Sequence, residues 1–241
     1  MAYYDGFVIP VPSADKAGFV DHALKMDKVF LERGALRVVE AWGEDIAAGK
    51  VTDFRRAVAA RDDESVAFSW VEWPDKATRD AAFKAMEADE AMMNEPMPFD
   101  GKRMIFGGFE PIVVEGEDRR GAFVQGFVLP VREGGKDAYR KMAAEAWRMF
   151  QRYGALKVVE CWQDDVPHGK QTDFHRAVKA EPGESVVFSY MLWPSREACD
   201  AAAQEMQNDP EMKMPDDMPF DGQRMIYAGF EPVVELEKQD A

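Results

Sequence analysis

Displaced by 120 positions, this sequence falls onto itself. Gly6-Phe7-Val8 meets Gly126-Phe127-Val128, and Gly34-Ala35-Leu36 meets Gly154-Ala155-Leu156. Thr52-Asp53-Phe54 meets Thr172-Asp173-Phe174, and Trp73-Pro74 meets Trp193-Pro194. One residue is inserted near Pro215–Asp217. Beyond it, at a displacement of 121, Met97-Pro98-Phe99-Asp100-Gly101 meets Met218-Pro219-Phe220-Asp221-Gly222. Nearly half of the aligned positions are identical, far above chance. The chain is therefore expected to fold as two copies of one unit, residues 1–115 and 121–241, joined by the charged segment Glu115–Arg120. Each copy is long enough to bury a core without disulfide or metal.

Two copies give two readings of every element. Tyr3–Val11 is rich in β-branched and aromatic residues and ends at prolines, which predicts a strand. Ser13–Arg33 carries apolar residues at Phe19, Ala23, Met26 and Phe30, and the second copy repeats the spacing at Tyr139, Ala143, Ala146 and Phe150. That is one face of a helix, stopped by Gly34 or Gly154. Leu36–Trp42, Phe54–Ala60, Val66–Trp73 and Arg103–Val114 read as further strands. Asp75 and Ser195, each following Trp-Pro, read as N-caps of a second helix running to about Asp89 in the first copy. The order is β-α-β-β-β-α-β, a ferredoxin-like α+β unit with one added strand.

Composition excludes more than it assigns. A net charge of −15 repels phosphate backbones and acidic lipid, so neither nucleic acid nor membrane is an expected partner. The start of the chain lacks a basic, then apolar, leader, and no apolar run is long enough to span a bilayer. Cys161 and Cys199 face Ala41 and Arg79 in the other copy, which fits free thiols better than a structural bridge. These features point to a cytoplasmic protein.

The motifs Asp5-Gly6-Phe7-Val8, Gly34-Ala35-Leu36-Arg37-Val38-Val39-Glu40, Gly49-Lys50-Val51-Thr52-Asp53-Phe54-Arg55 and Met97-Pro98-Phe99-Asp100-Gly101-Lys102-Arg103-Met104-Ile105 resemble the YbaA-like family of small uncharacterised bacterial proteins. The second copy carries the same set, so the resemblance covers nearly the whole chain. It implies the dimeric α/β-barrel superfamily, in which two ferredoxin-like subunits set their antiparallel sheets face to face with helices outside. Here both subunits lie in one chain, which implies an intramolecular barrel. Such a chain is expected to be a monomer, or a dimer through outer surfaces. Family membership supplies no reaction.

Strand alternation would put Glu40 and Trp42 on one side of their strand, and Arg56 on one side of the next, with Glu160, Trp162 and Arg176 repeating the pattern. Glu40–Arg56 and Glu160–Arg176 are therefore expected as ion pairs facing the interior between the sheets. They would either brace adjacent strands or hold a polar group of a ligand. Arg103 and Arg224 sit at the turn into the last strand, beside Asp100 and Asp221, with the same two readings. The loop residues Asp45, Lys50 and Asp53 (Asp165, Lys170 and Asp173 in the second copy) bind a ligand or cap the turn. The tryptophans line a flat pocket or fill the core, and Met86, Met92, Met206 and Met212 read as core.

No catalytic residue is identifiable. The three histidines, His22, His168 and His175, each occur in one copy only; His168 and His175 have no local partner at usual zinc spacing, and no Cys-x-x-Cys or phosphate loop is present. Some superfamily members hold haem by a histidine, but no metal, haem or other cofactor is expected here. The expectation is a barrel module that binds a small flat or acidic molecule. The alternatives are a cofactor-independent oxygenase or isomerase-like enzyme acting on a small phenolic or acidic metabolite, and a barrel too full for any ligand.

Overall fold

In the computed structural model, which describes residues 1–44, 46–210 and 217–238 and only the backbone of 91 and 93, each half supplies four strands. β1 (Tyr3–Pro12), β2 (Arg37–Gly43), β3 (Glu64–Trp73) and β4 (Ile105–Gly116) come from the first. β5 (Phe123–Val131), β6 (Lys157–Asp165), β7 (Ser185–Trp193) and β8 (Ile226–Glu237) come from the second. The helices are α1 (Lys16–Glu32), α2 (Phe54–Ala57), α3 (Lys76–Glu87), α4 (Glu90–Met93), α5 (Lys136–Arg152), α6 (Phe174–Ala177) and α7 (Arg196–Asn208). Asp75 and Ser195 cap α3 and α7, accepting from Thr78 N–H at 2.7 Å and Ala198 N–H at 3.2 Å. Asp45 and Met212 lie outside the described residues.

The strands close into one antiparallel barrel in the order β1-β3-β2-β8-β5-β7-β6-β4. Each half contributes the ferredoxin-like order β4-β1-β3-β2 or its equivalent, and the seams β2·β8 and β4·β6 cross between halves. Pro111 and Pro232, which have no N–H to donate, fall at register shifts in these two seams.

The barrel interior is solid. Phe68 stacks on its repeat counterpart Phe188 with centroids 4.7 Å apart, and Trp70 on Tyr190 at 4.1 Å. A residue can touch its own counterpart only on the axis that exchanges the two repeats, so these rings mark a pseudo-two-fold axis through the barrel. Gly6 and Gly126 give the rings room: a Cβ at Gly6 would lie 2.6 Å from the Phe188 ring, and one at Gly126 2.9 Å from Phe68. The expected ligand space between the sheets is therefore taken up by the protein's own aromatic side chains.

Both ends are stoppered. At one, Asp118 of the connecting segment pairs with Arg37 and Lys157, the equivalent first residues of β2 and β6, while Arg37 also reaches Glu235 at 3.0 Å. At the other, Phe54 of α2 packs edge-on against Phe68 and Phe230, and Phe174 of α6 against Phe109 and Phe188. Thr52 Oγ1 donates to Ala177 O across the halves at 2.6 Å. Residues 54–60, expected as a strand, instead begin with this helical turn. Asp53 accepts from Arg56 N–H at 2.8 Å as its N-cap, and Ala59 follows at φ 48°.

The outer face of the sheet is covered by α1, α3, α5 and α7, so both faces of most strands are buried. Among the described residues no helix is long and apolar enough to cross a membrane. Because the barrel closes within one chain, it offers no sheet edge to a neighbour. Light scattering is expected to return the mass of one chain at micromolar concentration. A stable higher mass held by strands exchanged between chains would contradict internal closure.

Candidate functional site

Glu40 and Glu160 lie at the middle of β2 and β6 and point outward, beneath the helices. Their sequence neighbours, Val39 and Ala41 on β2 and Val159 and Cys161 on β6, supply the interior instead. Glu40 accepts a hydrogen bond from Ser69 Oγ of β3, and Glu160 accepts one from Tyr139 OH of α5 at 2.7 Å. Each glutamate sits next to the bulge that its proline creates: Glu40 pairs with Val234 and Glu160 with Val113, where the register shifts. Bulges are common beside functional sites because they re-aim side chains.

Burial disfavours charge on both acids. Desolvation pushes Glu40 up to about 7 and Glu160 up to about 7, against 4.5 for an ordinary glutamate, with the hydroxyl partners opposing the rise. Glu40 has a second acid for a neighbour. Asp27 is 3% exposed on the inner face of α1, and one of its oxygens has no hydrogen-bond partner. Desolvation and then the charge of Glu40 raise it well above the ordinary aspartate value. Charge on either carboxyl disfavours charge on the other, so the two ionise as a pair. In the second repeat the position of Asp27 is Trp147, and Tyr139 replaces Phe19.

The expected ion pairs with arginine do not form. Because residues 54–57 are helical, Arg56 and Arg176 leave the sheet and face solvent. Arg56 donates to Gly49 O at 2.9 Å and lies 3.4 Å from Asp53, and Arg176 does the same with Gly169 and Asp173. They close a loop. Arg103 and Arg224 are buried or nearly so and fully engaged, each forking onto a glutamate of its own repeat. Arg103 donates to both oxygens of Glu64 at 2.6 Å, to Asp100 at 2.9 Å and to the carbonyl of Ala59 at 2.9 Å. Arg224 repeats this with Glu184, Asp221 and Lys179 O. The arginines so pin the left-handed residues Ala59 and Lys179. Trp42 and Trp162 cover the outer sheet, each beneath a lysine, Lys16 or Lys136.

A second buried polar set was not expected. Asp5 on β1 is fully buried and accepts from Trp73 Nε1 at 2.8 Å and from Arg79 of α3 at 2.8 Å. Its counterparts are Gln125, accepting from Trp193 at 3.2 Å, and Cys199. The unpaired alignment of Arg79 with Cys199 thus has a partner: the anion and the cation are exchanged together, which leaves neither charge buried alone. Arg79 also reaches Asp165 of the other repeat at 2.6 Å. The sequence signal was the joint change at positions 5 and 79.

The described surface has a cleft of about 440 Å³ where the loop 167–173 of the second repeat meets the turn 101–106 of the first. Its lining is mostly apolar, with Met104 and Phe106 inside and Lys102, Lys170 and His168 among the polar groups. Asp173 is at the base, capping α6 by accepting from Arg176 N–H at 2.7 Å. His168 and His175, which have no local partner at usual zinc spacing in the sequence, lie with ring centroids 4.5 Å apart and ring planes tilted by 34°, and both lie near Asp173. The fold supplies the neighbour that linear spacing hid. At the corresponding positions of the other copy, Ala48 and Arg55 of the first repeat stand for His168 and His175, and Gln223 of the second stands for Lys102.

A profile described as "Protein of unknown function (DUF1428)" matches residues 2–101 and again 122–222. The chain is 56% identical over 114 residues to the uncharacterized protein YbaA of Escherichia coli K12, covering 97% of that protein and 47% of this chain, and equally to YbaA of Shigella flexneri. Two solved structures share the fold. One is a candidate monooxygenase from Lactobacillus acidophilus NCFM (TM-score 0.56, 11% identity, 98% of this chain and 96% of that one). The other is an anthrone oxidase-like protein (TM-score 0.56, 13% identity, 99% of this chain and 94% of that one).

Two measurements check the assignments. In urea unfolding, Arg56→Ala is expected to cost about 1 kcal/mol or less, as for an exposed pair. Arg103→Ala strands the buried Glu64 and is expected to cost roughly 3–5 kcal/mol. The second uses pH. Glu40 binds its proton more tightly folded than unfolded, so its contribution is complete below about pH 4.5 and lost as pH rises through about 7. Glu40→Gln should therefore shrink the fall in unfolding free energy between pH 5 and pH 8 by roughly 1–3 kcal/mol. An unchanged pH profile would mean that Glu40 ionises normally.

Proposed function

The chain belongs to the DUF1428 family, and we propose that it is a small-molecule-binding barrel whose ligand, a small anion with a flat apolar body, enters the cleft between residues 101–106 and 167–173. The observation that carries this reading is where positive charge stands. In a chain of net charge −15, Lys102 and Lys170 stand together at a mostly apolar cleft. Its volume of about 440 Å³ suits a one- or two-ring organic molecule. The lysines would steer and hold the anionic group, and Met104 and Phe106 would take the apolar body. The packed barrel interior argues for a site at the rim over one between the sheets.

A second reading, catalysis without a cofactor, is favoured by one observation: the Asp27–Glu40 pair. Two neighbouring buried carboxyls, both raised above the ordinary carboxylate range by desolvation, are suited to general acid–base work. The solved barrels named above add the fold to this reading and no reaction.

The cleft is tested with an anionic aromatic dye, 1-anilinonaphthalene-8-sulfonate, titrated into the native chain and followed by fluorescence. Charge reversal at the exposed rim, Lys102→Glu with Lys170→Glu, is expected to weaken binding at least tenfold. Reversal at Lys25 and Lys28, on α1, should leave it unchanged. Equal affinity in both variants would remove the cleft as the binding site.

A further inference from the structure

We infer that the second repeat carries a transition-metal site formed by His168, Asp173 and His175. One nitrogen from each imidazole and one oxygen of the carboxylate lie within 4.8 Å of one another. His168 Nδ1 is 3.9 Å from Asp173 Oδ2, and the two rings face each other at 34°. A tetrahedral zinc ion holds its ligand atoms at about 2.0–2.2 Å, which places them roughly 3.5 Å apart. The donors need to close by about an ångström. His168 can supply that movement, because its side chain is 77% exposed and sits on the loop between β6 and α6.

Three features of the local structure favour an ion over simple packing. His175 Nδ1 is buried and has no hydrogen-bond partner, a cost that coordination would remove. Asp173 is anchored before any ion arrives: one oxygen caps α6 and the other accepts from Gly169 N–H at 3.1 Å. Two imidazoles and one carboxylate form the donor set that zinc, copper and nickel take, whereas magnesium and calcium prefer oxygen alone. The Arg176 guanidinium, 3.2 Å from the same carboxylate, opposes a cation. It is half-exposed, so it can turn to solvent, and its charge selects ions that bind imidazole strongly. Three protein ligands leave a coordination position for water or for an anion in the cleft that His168 and Asp173 line.

The first repeat has Ala48, Asp53 and Arg55 at these places, and Arg55 is spent on the carbonyls of Glu64 and Arg61. One site per chain is therefore required. The inference goes beyond the proposed ligand reading, since it rests on three side chains and needs no organic molecule.

The test is isothermal titration of the untagged chain, stripped with a chelator, with Zn²⁺ and with Cu²⁺. One equivalent is expected to bind with micromolar or tighter affinity. Co²⁺ in place of zinc should give visible d–d absorption that reports the ligand set. His168→Ala changes an exposed side chain and cannot disturb the core, and it should weaken binding at least tenfold and alter the Co²⁺ spectrum. Asp173→Asn keeps the helix cap but loses the charge, and should do the same. His22→Ala, on α1, should change nothing. Absence of saturable binding, two equal sites, or a His168→Ala variant with unaltered affinity and spectrum would each overturn the site.

Discussion

Everything else in this barrel follows from the contact of two aromatic pairs with their own repeat images. Phe68 on Phe188 and Trp70 on Tyr190 sit on the pseudo-two-fold axis, fully buried, where dispersion and burial of large rings are worth most. Eight strands enclose just enough space for such side chains. The rings in turn demand Gly6 and Gly126, since any Cβ there would meet a ring face. That is why Gly-Phe-Val opens both repeats. A filled interior pushes chemistry outward, to the layer under the helices and to the barrel rims.

The rims show how fusion is used. Asp118, in the connecting segment, has no counterpart in the repeat and supplies one carboxylate to two equivalent cations, Arg37 and Lys157. The connection is therefore part of the barrel's closure. At the opposite end the repeated Thr-Asp-Phe motif does three structural jobs in three residues. The threonine donates to a carbonyl of the other half, the aspartate caps a turn, and the phenylalanine stops the barrel.

The duplication, the ferredoxin-like class of each unit and the N-caps at Asp75 and Ser195 were legible because each has a local chemical signature that two copies confirm. Two things were not. Phe54–Ala60 is so short that period two and period 3.6 cannot be told apart. Asp53 three residues ahead of Arg56, with Gly49 before it, was the cap signal that decided the turn. The facing of Glu40 was hidden for a different reason. In a sheet covered on both sides, Val39 and Ala41 are as apolar as Val38 and Trp42, so alternation separates two faces without saying which is inner. Asp27 could have been found, since it continues the buried series Phe19, Ala23 at steps of four.

The two repeats have diverged in sets. Asp5 with Arg79 in the first copy stands against Gln125 with Cys199 in the second, so that neither copy leaves a buried charge alone. Asp27 lies beside Glu40 where the second copy has Trp147, and there Tyr139 holds Glu160 instead. His168 and His175 occur together in the second copy, around an aspartate that both copies share. A barrel made of two identical subunits cannot change one side alone, because every substitution is made twice. Once both halves lie in one chain, the axis through the stacked rings still fixes the frame, and each flank is free to take its own polar groups. The symmetry is kept where the rings meet, and it is broken at the outer layer and the cleft, where a ligand would be met.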